Sequence, residues 1–520
     1  MNQKWWALVA VCTGVFMLLL DITIVNVALP SIERDFHASL SDLEWVISAY
    51  ALTLAAFLLT AGSLADRFGR RLLYGIGIVW FTVFSILCGV ATGPLFLNLC
   101  RAAQGVGGAI MFSTSLAILA DAFRGRDRAV AFSVFGAVTG VGVAIGPVIG
   151  GALTSGLSWR WIFFVNVPIG VLTLFATALR VRESKNPSAR HVDLPGFVSF
   201  SVALAALVYG LILSVSDGWS SPRVQSALVV AGVLLVAFVA IELRSREPML
   251  DMSLLRVPTF NGGLIAAFAI SGGLFAILTY VTIYFQDILG LSAIGTGVRF
   301  LPLTGGLFLT AGAAGRLTNR VPRKWMIAPG FVAIGTGILL MRGLTPGSSW
   351  THLLPGMIVA GVGAGFVNVP LISTAVGVVP PQRAGMASGI NSTLRQAGIA
   401  AGVATLGTIF ASQVRSGIAM HLGHSALAAK SGAIAKALTG GTLGHAIALA
   451  PPAARGAVLA ATRAGFVGGL NTIFLVAAVA SFVAAVASFL LVRERDFVEV
   501  ALDGQPESAA ETSEPAGALV

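Results

Sequence analysis

Long apolar stretches separated by short polar segments dominate the pattern along this chain. A helix needs about 20 consecutive, mostly apolar residues to span the hydrocarbon core of a bilayer. Such stretches recur throughout the sequence, and many contain no charged residue. The uncharged stretches include 45–65, 72–100, 129–159, 161–179, 194–216, 257–286, 353–382 and 464–492. The pattern therefore predicts an all-α protein that crosses a membrane many times.

The alternation of apolar and polar segments predicts fourteen transmembrane helices. Each predicted span covers the apolar part of one stretch and ends near the polar residues that flank it. Span 295–315 contains a charged side chain, Arg299. The predicted spans are 7–30, 45–65, 72–92, 95–120, 130–153, 161–180, 194–215, 224–242, 260–285, 295–315, 325–342, 353–377, 385–411 and 467–492.

The composition agrees with a membrane protein and argues against a soluble enzyme. Of the 520 residues, 56% are hydrophobic and 11% are charged, whereas a soluble domain carries about 25% charged residues. The three cysteines lie in apolar runs, without metal or disulfide spacing. No nucleotide-binding loop and no hydrolase motif occurs. We therefore expect no cofactor and an ion gradient as the energy source.

The distribution of Lys and Arg predicts the orientation of the spans. With fourteen spans both termini lie on one side, and the short segments on that side hold 21 of the 33 basic residues. The short segments on the opposite side hold five, which are Arg34, Arg160, Arg223, Arg299 and Arg342. Because cytoplasmic loops are enriched in Lys and Arg, both termini are expected in the cytoplasm. The same rule explains the net charge of +11 without nucleic-acid binding.

An internal repeat divides the chain into two halves. One loop motif occurs twice, at an offset of 253 residues. Its first copy has Gly62, Asp66, Arg67, Arg70 and Arg71, and its second copy has Gly315, Asn319, Arg320, Arg323 and Lys324. Two weaker matches, of Gly105 with Gly361 and of Arg128 with Arg383, follow in order at offsets of 256 and 255. Transporters are commonly built from such repeats, with the substrate site near the midplane where the repeats meet.

The repeat predicts the domain organisation. Residues 1–180 form an N-terminal six-helix bundle, 181–258 a linker with two extra transmembrane helices, and 259–492 a C-terminal six-helix bundle. Segment 412–466 is expected as an extracellular loop, either with amphipathic helices on the outer surface or poorly ordered. The Glu-, Ser- and Pro-rich end of 493–520 predicts a disordered cytoplasmic tail.

Ionisable side chains deep in the predicted spans are few, and each is a candidate for function because burial in a bilayer is costly. They are Asp21, Arg101 and Arg395, so Asp21 is expected to be the only acidic one. Asp21 lies about 20 Å from one end of its helix and Arg101 about 9 Å from the other side of the membrane, so their depths agree. They form either a proton-exchanging pair or a static ion pair. Thr23 and Asn26 are rotated away from Asp21, and Asn26 is expected to pack against a neighbouring helix.

Two polar stripes supply further candidates. Gln104 shares a helix face with Arg101, and Asn391 shares one with Arg395. These side chains either bind substrate or hold helices together. For Arg395 we expect a bound anion or a carboxylate partner.

Several motifs together identify a family. The sequence resembles the major facilitator superfamily, in particular the fourteen-helix drug:proton antiporters of the EmrB/QacA type, over almost the whole chain. The matching motifs are Leu20–Pro30 in the first helix, Gly62–Arg71 in the first cytoplasmic loop, Arg101–Gly105 in the fourth helix, Gly142–Gly151 in the fifth and Trp159–Pro168 before the sixth. In the second-half copy of the loop, Asn319 replaces Asp and Pro322 replaces Gly.

The resemblance implies roles for two groups of residues. Asp66, Arg70 and Asp121 would form a cytoplasmic lock that holds the outward-facing state. Gly142, Gly146, Pro147 and Gly150 would form the pliable antiporter helix at the interface between the halves, and their spacing makes a ridge of small residues.

The predicted function is proton-coupled export of amphipathic or lipophilic compounds across the bacterial inner membrane, with Asp21 and Arg101 handling the proton. The expected partners are small amphipathic substrates, protons and the lipid bilayer, with a periplasmic adaptor protein in a double-membrane bacterium, and the protein is expected to act as a monomer. One alternative is a dedicated exporter of a single lipid or natural product. The other is a receptor or assembly subunit that transports nothing.

Overall fold

The computed structural model describes residues 3–123, 125–185, 193–245, 250–318, 320–379, 384–422 and 455–497. All regular elements in these ranges are helical. The α-helices, in chain order, are α1 Gln3–Phe36, α2 Leu40–Phe68, α3 Arg70–Gly89, α4 Pro94–Ala122, α5 Gly125–Gly156, α6 Trp161–Phe164, α7 Asn166–Arg180, α8 Leu194–Asp217, α9 Pro222–Glu242, α10 Pro258–Ile270, α11 Ala276–Ile283, α12 Ala293–Arg299, α13 Leu301–Leu317, α14 Lys324–Leu340, α15 Leu354–Gly377, α16 Ala384–Leu422 and α17 Arg455–Leu491.

Twelve helical segments within the described ranges are long and apolar enough to cross a membrane. A helix satisfies its own backbone hydrogen bonds, which is what a segment in lipid requires. Predicted span 325–342 coincides with α14, an apolar helix of 17 residues. Predicted span 295–315 is divided between α12 and α13. The protein is thus an all-α, multi-pass membrane protein, while the total of fourteen spans stays a prediction.

Two helices of the second half depart from regular α geometry. Pro302, at the start of α13, has no N–H to donate to the preceding turn, and the helix is interrupted at Phe300. Segment Pro258–Ile288 runs as one long helix, but it widens into π turns at Ser271–Phe275 and Tyr284–Ile288. Such widened turns are frequent at functional sites.

The two extra helices pack at the seam between the halves. Side chains of α8 form an apolar cluster with α2 of the first half and α16 of the second. The cluster is polar at one point, where Ser214 Oγ lies 3.0 Å from Thr408 Oγ1, both buried. The pair α8 and α9 therefore touches both halves.

The halves meet closely at one end of the bundle, which we call the distal end because it lies opposite Gln3 and Leu491. There Gln286 Nε2 donates to the Val27 carbonyl oxygen at 2.7 Å, and the Ile294 N–H donates to Ser155 Oγ at 3.0 Å. Gly297 also lies against the Pro147 carbonyl group, where a Cβ would overlap the backbone. The distal end is therefore closed.

The segment predicted as loop 412–466 begins and ends as helix. α16 continues to Leu422 and α17 begins at Arg455, and residues 423–454 lie outside the described ranges. The extension has a packing reason, because Gly417 and Gly465 let the two helices approach closely. In the predicted tail, residues 493–497 carry a short 3₁₀ turn, Glu494–Asp496, and 498–520 lie outside the described residues.

Candidate functional site

A buried ion pair lies inside the first half. Asp21 Oδ2, on α1, lies 2.5 Å from Arg101 Nη1, on α4, and the two side chains are 0% and 2% exposed. The structure thus brings the two predicted coupling residues into direct contact. Breaking such a pair by removing one partner leaves an uncompensated buried charge, which costs about 3–5 kcal/mol.

Amide side chains complete the surroundings of this pair. Asp21 Oδ1 accepts hydrogen bonds from Gln104 Nε2 at 3.1 Å and from Asn166 Nδ2 at 3.0 Å. Arg101 Nη1 donates to Gln104 Oε1 at 2.7 Å, and its Nε donates to the Val46 carbonyl oxygen at 3.1 Å. Both carboxylate oxygens are therefore hydrogen-bonded in the charged form.

Asn166 was not among the predicted site residues. It lies in the stretch Trp159–Pro168, which carried part of the family resemblance, and it is fully buried at the start of α7. A buried amide in an apolar run was the available signal. Asn166 also donates to Ser85 Oγ at 3.0 Å, so the network reaches α3.

Aromatic rings and glycines enclose the Arg101 side chain. Its guanidinium group lies 4.3 Å from the ring centre of Tyr50 and 5.7 Å from that of Phe163, distances at which a cation is attracted to a ring face. Gly105 and Gly108 bring α4 against α2, because a Cβ at either position would collide with Tyr50. The pair is therefore held in a rigid setting among α1, α2, α4, α6 and α7.

A cavity lies between the two halves, on another face of α1. Among the described residues, four of its lining side chains are polar and none is charged. The lining comprises Ile22, Thr23, Asn26, Val27, Ile47, Val143, Pro147, Leu274, Phe275, Leu278, Thr279, Phe300, Leu303, Thr304, Leu307, Ile399 and Val403. Asp21 does not line it, since residues two apart on a helix differ by about 200° in direction.

The structure places Asn26 against a neighbouring helix, as expected, and also beside the cavity. Asn26 lines the cavity and its Oδ1 accepts a hydrogen bond from Thr279 Oγ1 of the second half at 3.1 Å. The neighbouring helix is α11 of the second half. Its position at the seam could not be seen without the arrangement of the two halves.

The glycine ridge of α5 packs on α1. A Cβ at Gly146 would overlap the Thr23 side chain, and Cβ atoms at Gly142 and Gly150 would crowd Leu19 and Ile24. Another face of α5, at Pro147, meets α12 of the second half. Helix α5 therefore connects α1, which carries Asp21, with the other half.

The structure describes only part of the predicted cytoplasmic lock. Arg70 Nη1 lies 3.5 Å from the Ala117 carbonyl oxygen on α4. Asp121, one turn further along α4, is exposed. The Asp66 side chain lies outside the described part of the structure. The lock stays a prediction.

The second half offers a polar pair without a carboxylate. Arg395 Nη2 on α16 donates to Asn368 Oδ1 on α15 at 2.8 Å. Asn391, one turn earlier on α16, is buried, and its Oδ1 has no hydrogen-bond partner. The partner seen for Arg395 is thus an amide.

Asp21 is not the only buried acidic residue, contrary to the expectation from the sequence. Glu44 on α2 is 0% exposed and Glu242 on α9 is 3% exposed. Glu44 was missed because the second predicted span began at residue 45, whereas α2 begins at Leu40, where Ser39 and Asp42 form a reciprocal N-terminal cap. In the described part of the chain no group of three or more His, Cys, Asp or Glu could hold a metal ion.

Comparison with known proteins places this geometry in context. A family model described as Major Facilitator Superfamily matches residues 11–403. Puromycin resistance protein pur8 of Streptomyces alboniger is 37% identical over 426 residues, or 81% of this chain and 84% of that protein. Multidrug resistance protein Stp of Mycobacterium tuberculosis is 36% identical over 416 residues, or 80% of this chain and 77% of that protein.

A third relative and a solved structure agree with these matches. Tetracenomycin C resistance and export protein of Streptomyces glaucescens is 33% identical over 418 residues, or 79% of this chain and 77% of that protein. A bacterial homologue of the human lysosomal transporter Spinster, solved in an inward-facing and occupied conformation, has a TM-score of 0.61 at 15% identity, covering 96% of this chain and 100% of that one. The structural likeness concerns the fold alone.

Proposed function

The chain belongs to the Major Facilitator Superfamily, and on this premise we propose that it is a proton-coupled antiporter that exports amphipathic or lipophilic compounds by alternating access. It is a transporter and not an enzyme. Its proposed location is the bacterial inner membrane, with both termini in the cytoplasm. The observation that carries the proposal is the buried pair of Asp21 and Arg101 with its amide partners.

Proton binding at this pair would have a mechanical consequence. With Asp21 ionised, both buried charges are paired and hydrogen-bonded. A proton on Asp21 would leave Arg101 as an unpaired buried cation, which is strongly unfavourable. The site would relax by moving α1 and α4 apart or by admitting water. Because α5 packs on α1 through Gly146 and on α12 through Pro147, a movement of α1 would reach the second half.

The residues that line the cavity favour substrates that are mainly apolar. Its lining is apolar apart from Thr23, Asn26, Thr279 and Thr304, and such pockets bind apolar bodies while a few polar groups fix their orientation. The printed names of the relatives connect those proteins with puromycin, with multiple drugs and with tetracenomycin C. For this chain we propose compounds of the same general kind, namely amphipathic drugs and antibiotics.

The membrane potential would supply part of the energy. Moving one elementary charge through it is worth about 2.3 kcal/mol per 100 mV. We propose that protons bind Asp21 from the outer side of the membrane and are released to the cytoplasm. The protein would act as a monomer, and in a double-membrane bacterium it would hand its substrate to a periplasmic adaptor protein.

A dedicated exporter is the second candidate. The relative from Streptomyces glaucescens is named after a single compound, tetracenomycin C. The breadth of the accepted substrates distinguishes the two candidates, since a multidrug pump transports several unrelated scaffolds and a dedicated exporter transports one.

The test uses purified protein in liposomes that enclose a pH-sensitive dye. A panel of amphipathic compounds, including puromycin, is added on one side, and proton movement is recorded. We expect several compounds each to drive protons in the opposite direction to their own transport. A response to one compound would favour the dedicated exporter. Compound transport without proton movement, in a sealed and otherwise competent preparation, would contradict proton antiport.

A further inference from the structure

Glu44 forms a second buried acidic site, separate from Asp21 and located between the halves. Glu44 is on α2 of the first half, and its Oε1 lies 3.1 Å from the Tyr280 hydroxyl group on α11 of the second half. The same hydroxyl group lies 2.6 Å from the Val403 carbonyl oxygen on α16. Gly407, one turn beyond Val403, leaves the space for this contact, because a Cβ there would collide with both Glu44 and Tyr280.

The hydrogen-bond arrangement indicates the protonation state of Glu44. A tyrosine hydroxyl group has one hydrogen to donate, and the shorter contact is to the Val403 carbonyl oxygen, which can only accept. If Tyr280 donates to Val403, the contact between Glu44 and Tyr280 is a hydrogen bond only when Glu44 carries the proton and donates it. The other carboxyl oxygen, Oε2, is buried and has no hydrogen-bond partner. An ionised carboxylate in this position would lack the donors that its burial requires.

No opposite charge compensates Glu44 within the described residues. Tyr280 is the titratable side chain that faces it from α11, and the facing positions on α16 are the Val403 carbonyl group and Gly407. On α2 itself Ser48 lies one turn away, buried and without a hydrogen-bond partner. Arg101 is engaged with Asp21, Gln104 and the Val46 carbonyl group on another face of α2.

The position of Glu44 connects its proton to the conformation of the bundle. Ile47 and Val403 line the cavity between the halves, and Glu44 and Gly407 lie one turn nearer the distal end. Glu44 and Gly407 therefore belong to the layer that closes the cavity on its distal side, which we call the roof or the Glu44 layer. Opening the distal end would separate α2 from α11 and α16 and expose Glu44 to water. An exposed Glu carboxyl group has an ordinary pKa of about 4.3 and is therefore ionised at neutral pH, so it must regain a proton before the roof can close again.

We infer that Glu44 is a second proton-binding group, which must be protonated for the distal end to close. The proton comes from water at the open distal end and forms the O–H bond of the Glu44 carboxyl group. The same proton returns to water when the roof opens into an alkaline medium, so no other reactant is needed. This inference rests on the alternating-access cycle proposed above, but it concerns a site apart from Asp21.

The test measures the distance across the distal end as a function of pH, without substrate. Spin labels are placed at Leu157 of the first half and Arg342 of the second, both exposed near that end, in liposomes. The three natural cysteines are buried, so labelling is directed to the introduced ones. In the wild-type protein we expect the long-distance, open population to rise severalfold from mildly acidic to mildly alkaline pH.

The variant Glu44→Gln keeps the size of the side chain and cannot ionise. We expect it to stay closed at alkaline pH, with the open population no longer rising. The matched control is Glu242→Gln, at a buried glutamate that accepts the Leu250 N–H within the linker 181–258. The control should keep the wild-type pH response.

Two results would overturn the inference. One is a distance distribution of the wild-type protein that does not change with pH. The other is a Glu44→Gln variant, folded as judged by its thermal stability, with an unchanged pH response. Because no substrate is present, neither result depends on whether the protein exports drugs, and failure of the liposome antiport assay would leave this measurement intact.

Discussion

At the scale of single residues, the sequence predicted a contact but not its surroundings. Asp21 and Arg101 were paired because both are ionisable and lie at matching depths, and they lie 2.5 Å apart in the structure. Asn166 and Glu44 were missed for different reasons. An amide gives no signal in a count of charges, and Glu44 stood just outside a predicted span. Which face of α1 meets the cavity depends on the packing of both halves, which local sequence does not encode.

Arg101 should not be replaceable by lysine. The guanidinium group bonds Asp21, Gln104 and the Val46 carbonyl group at once, whereas an ammonium group is a compact point charge without that planar fork. We expect Arg101→Lys to reach the membrane in normal amounts and to lose most of its export activity, measured as drug accumulation in energised cells. Wild-type accumulation would show that charge alone is sufficient.

Asn166 should be required for coupled export. Its amide donates to Asp21 Oδ1 at 3.0 Å, and a hydrogen bond to a charged group is worth about 1.5–3 kcal/mol. Asn166→Leu removes this donor from the buried carboxylate. We expect the variant to reach the membrane and to lose most of its export activity, measured as drug accumulation in energised cells. The control Asn98→Ala removes an amide that donates to the Asp42 carbonyl oxygen and should keep wild-type export. Wild-type export by Asn166→Leu would contradict this role.

At the scale of helices, the apolar pattern located the elements, and their irregularities were not predictable. The predicted spans coincide with helices, because lipid leaves the backbone no other partner than itself. The π turns that flank Tyr280, the break at Phe300 and the extensions of α16 and α17 beyond 411 and before 467 depend on contacts with other helices. Hydropathy alone carries no information on them.

The glycine ridge of α5 yields a prediction at this scale. Gly146→Leu would force the side chain into Thr23 on α1, and overpacking of this kind costs about 1–3 kcal/mol. We expect transport to stop while membrane insertion persists, as measured by export and by protein level in the membrane. The matched control is Gly136→Leu on the same helix, where the structure shows open space for a side chain. Equal activity of the two variants would mean that the ridge does not link α5 to α1.

At the scale of the whole molecule, the repeat predicted two halves, and the structure adds how they meet. The distal end is closed by contacts of α1 and α5 with the π turn Tyr284–Ile288 and α12, and the Glu44 layer closes the cavity below it. An internal sequence repeat does not show which end of an alternating-access transporter is closed. It also could not show that α8 packs on both halves.

The cytoplasmic lock is a property of the whole molecule. If Arg70 helps to hold the outward-facing state, Arg70→Ala should shift the population toward inward-facing states. A contact with a helix end is worth about 0.3–1 kcal/mol, and up to about 2 kcal/mol when partly buried, so the population should shift by up to about thirtyfold. Spin labels on the cytoplasmic ends of the two halves measure this shift as a change in the distance between them. Arg71→Ala is the control, since Arg71 bonds the Ala178 carbonyl oxygen on α7 and the family resemblance gives it no role in the lock. Identical distance distributions of Arg70→Ala and the wild type would mean that this loop only sets the membrane topology.

The central claim is that export is driven by protons through Asp21. The most direct measurement compares wild-type protein and Asp21→Asn in liposomes, with labelled puromycin moved either uphill by an imposed pH gradient or downhill by exchange. Asparagine is close in size to aspartate, and it keeps hydrogen bonds but cannot bind and release a proton. We predict that the wild type concentrates the compound in response to the gradient, and that the variant exchanges it downhill but no longer concentrates it. Gradient-driven accumulation by Asp21→Asn at the wild-type level would contradict the account.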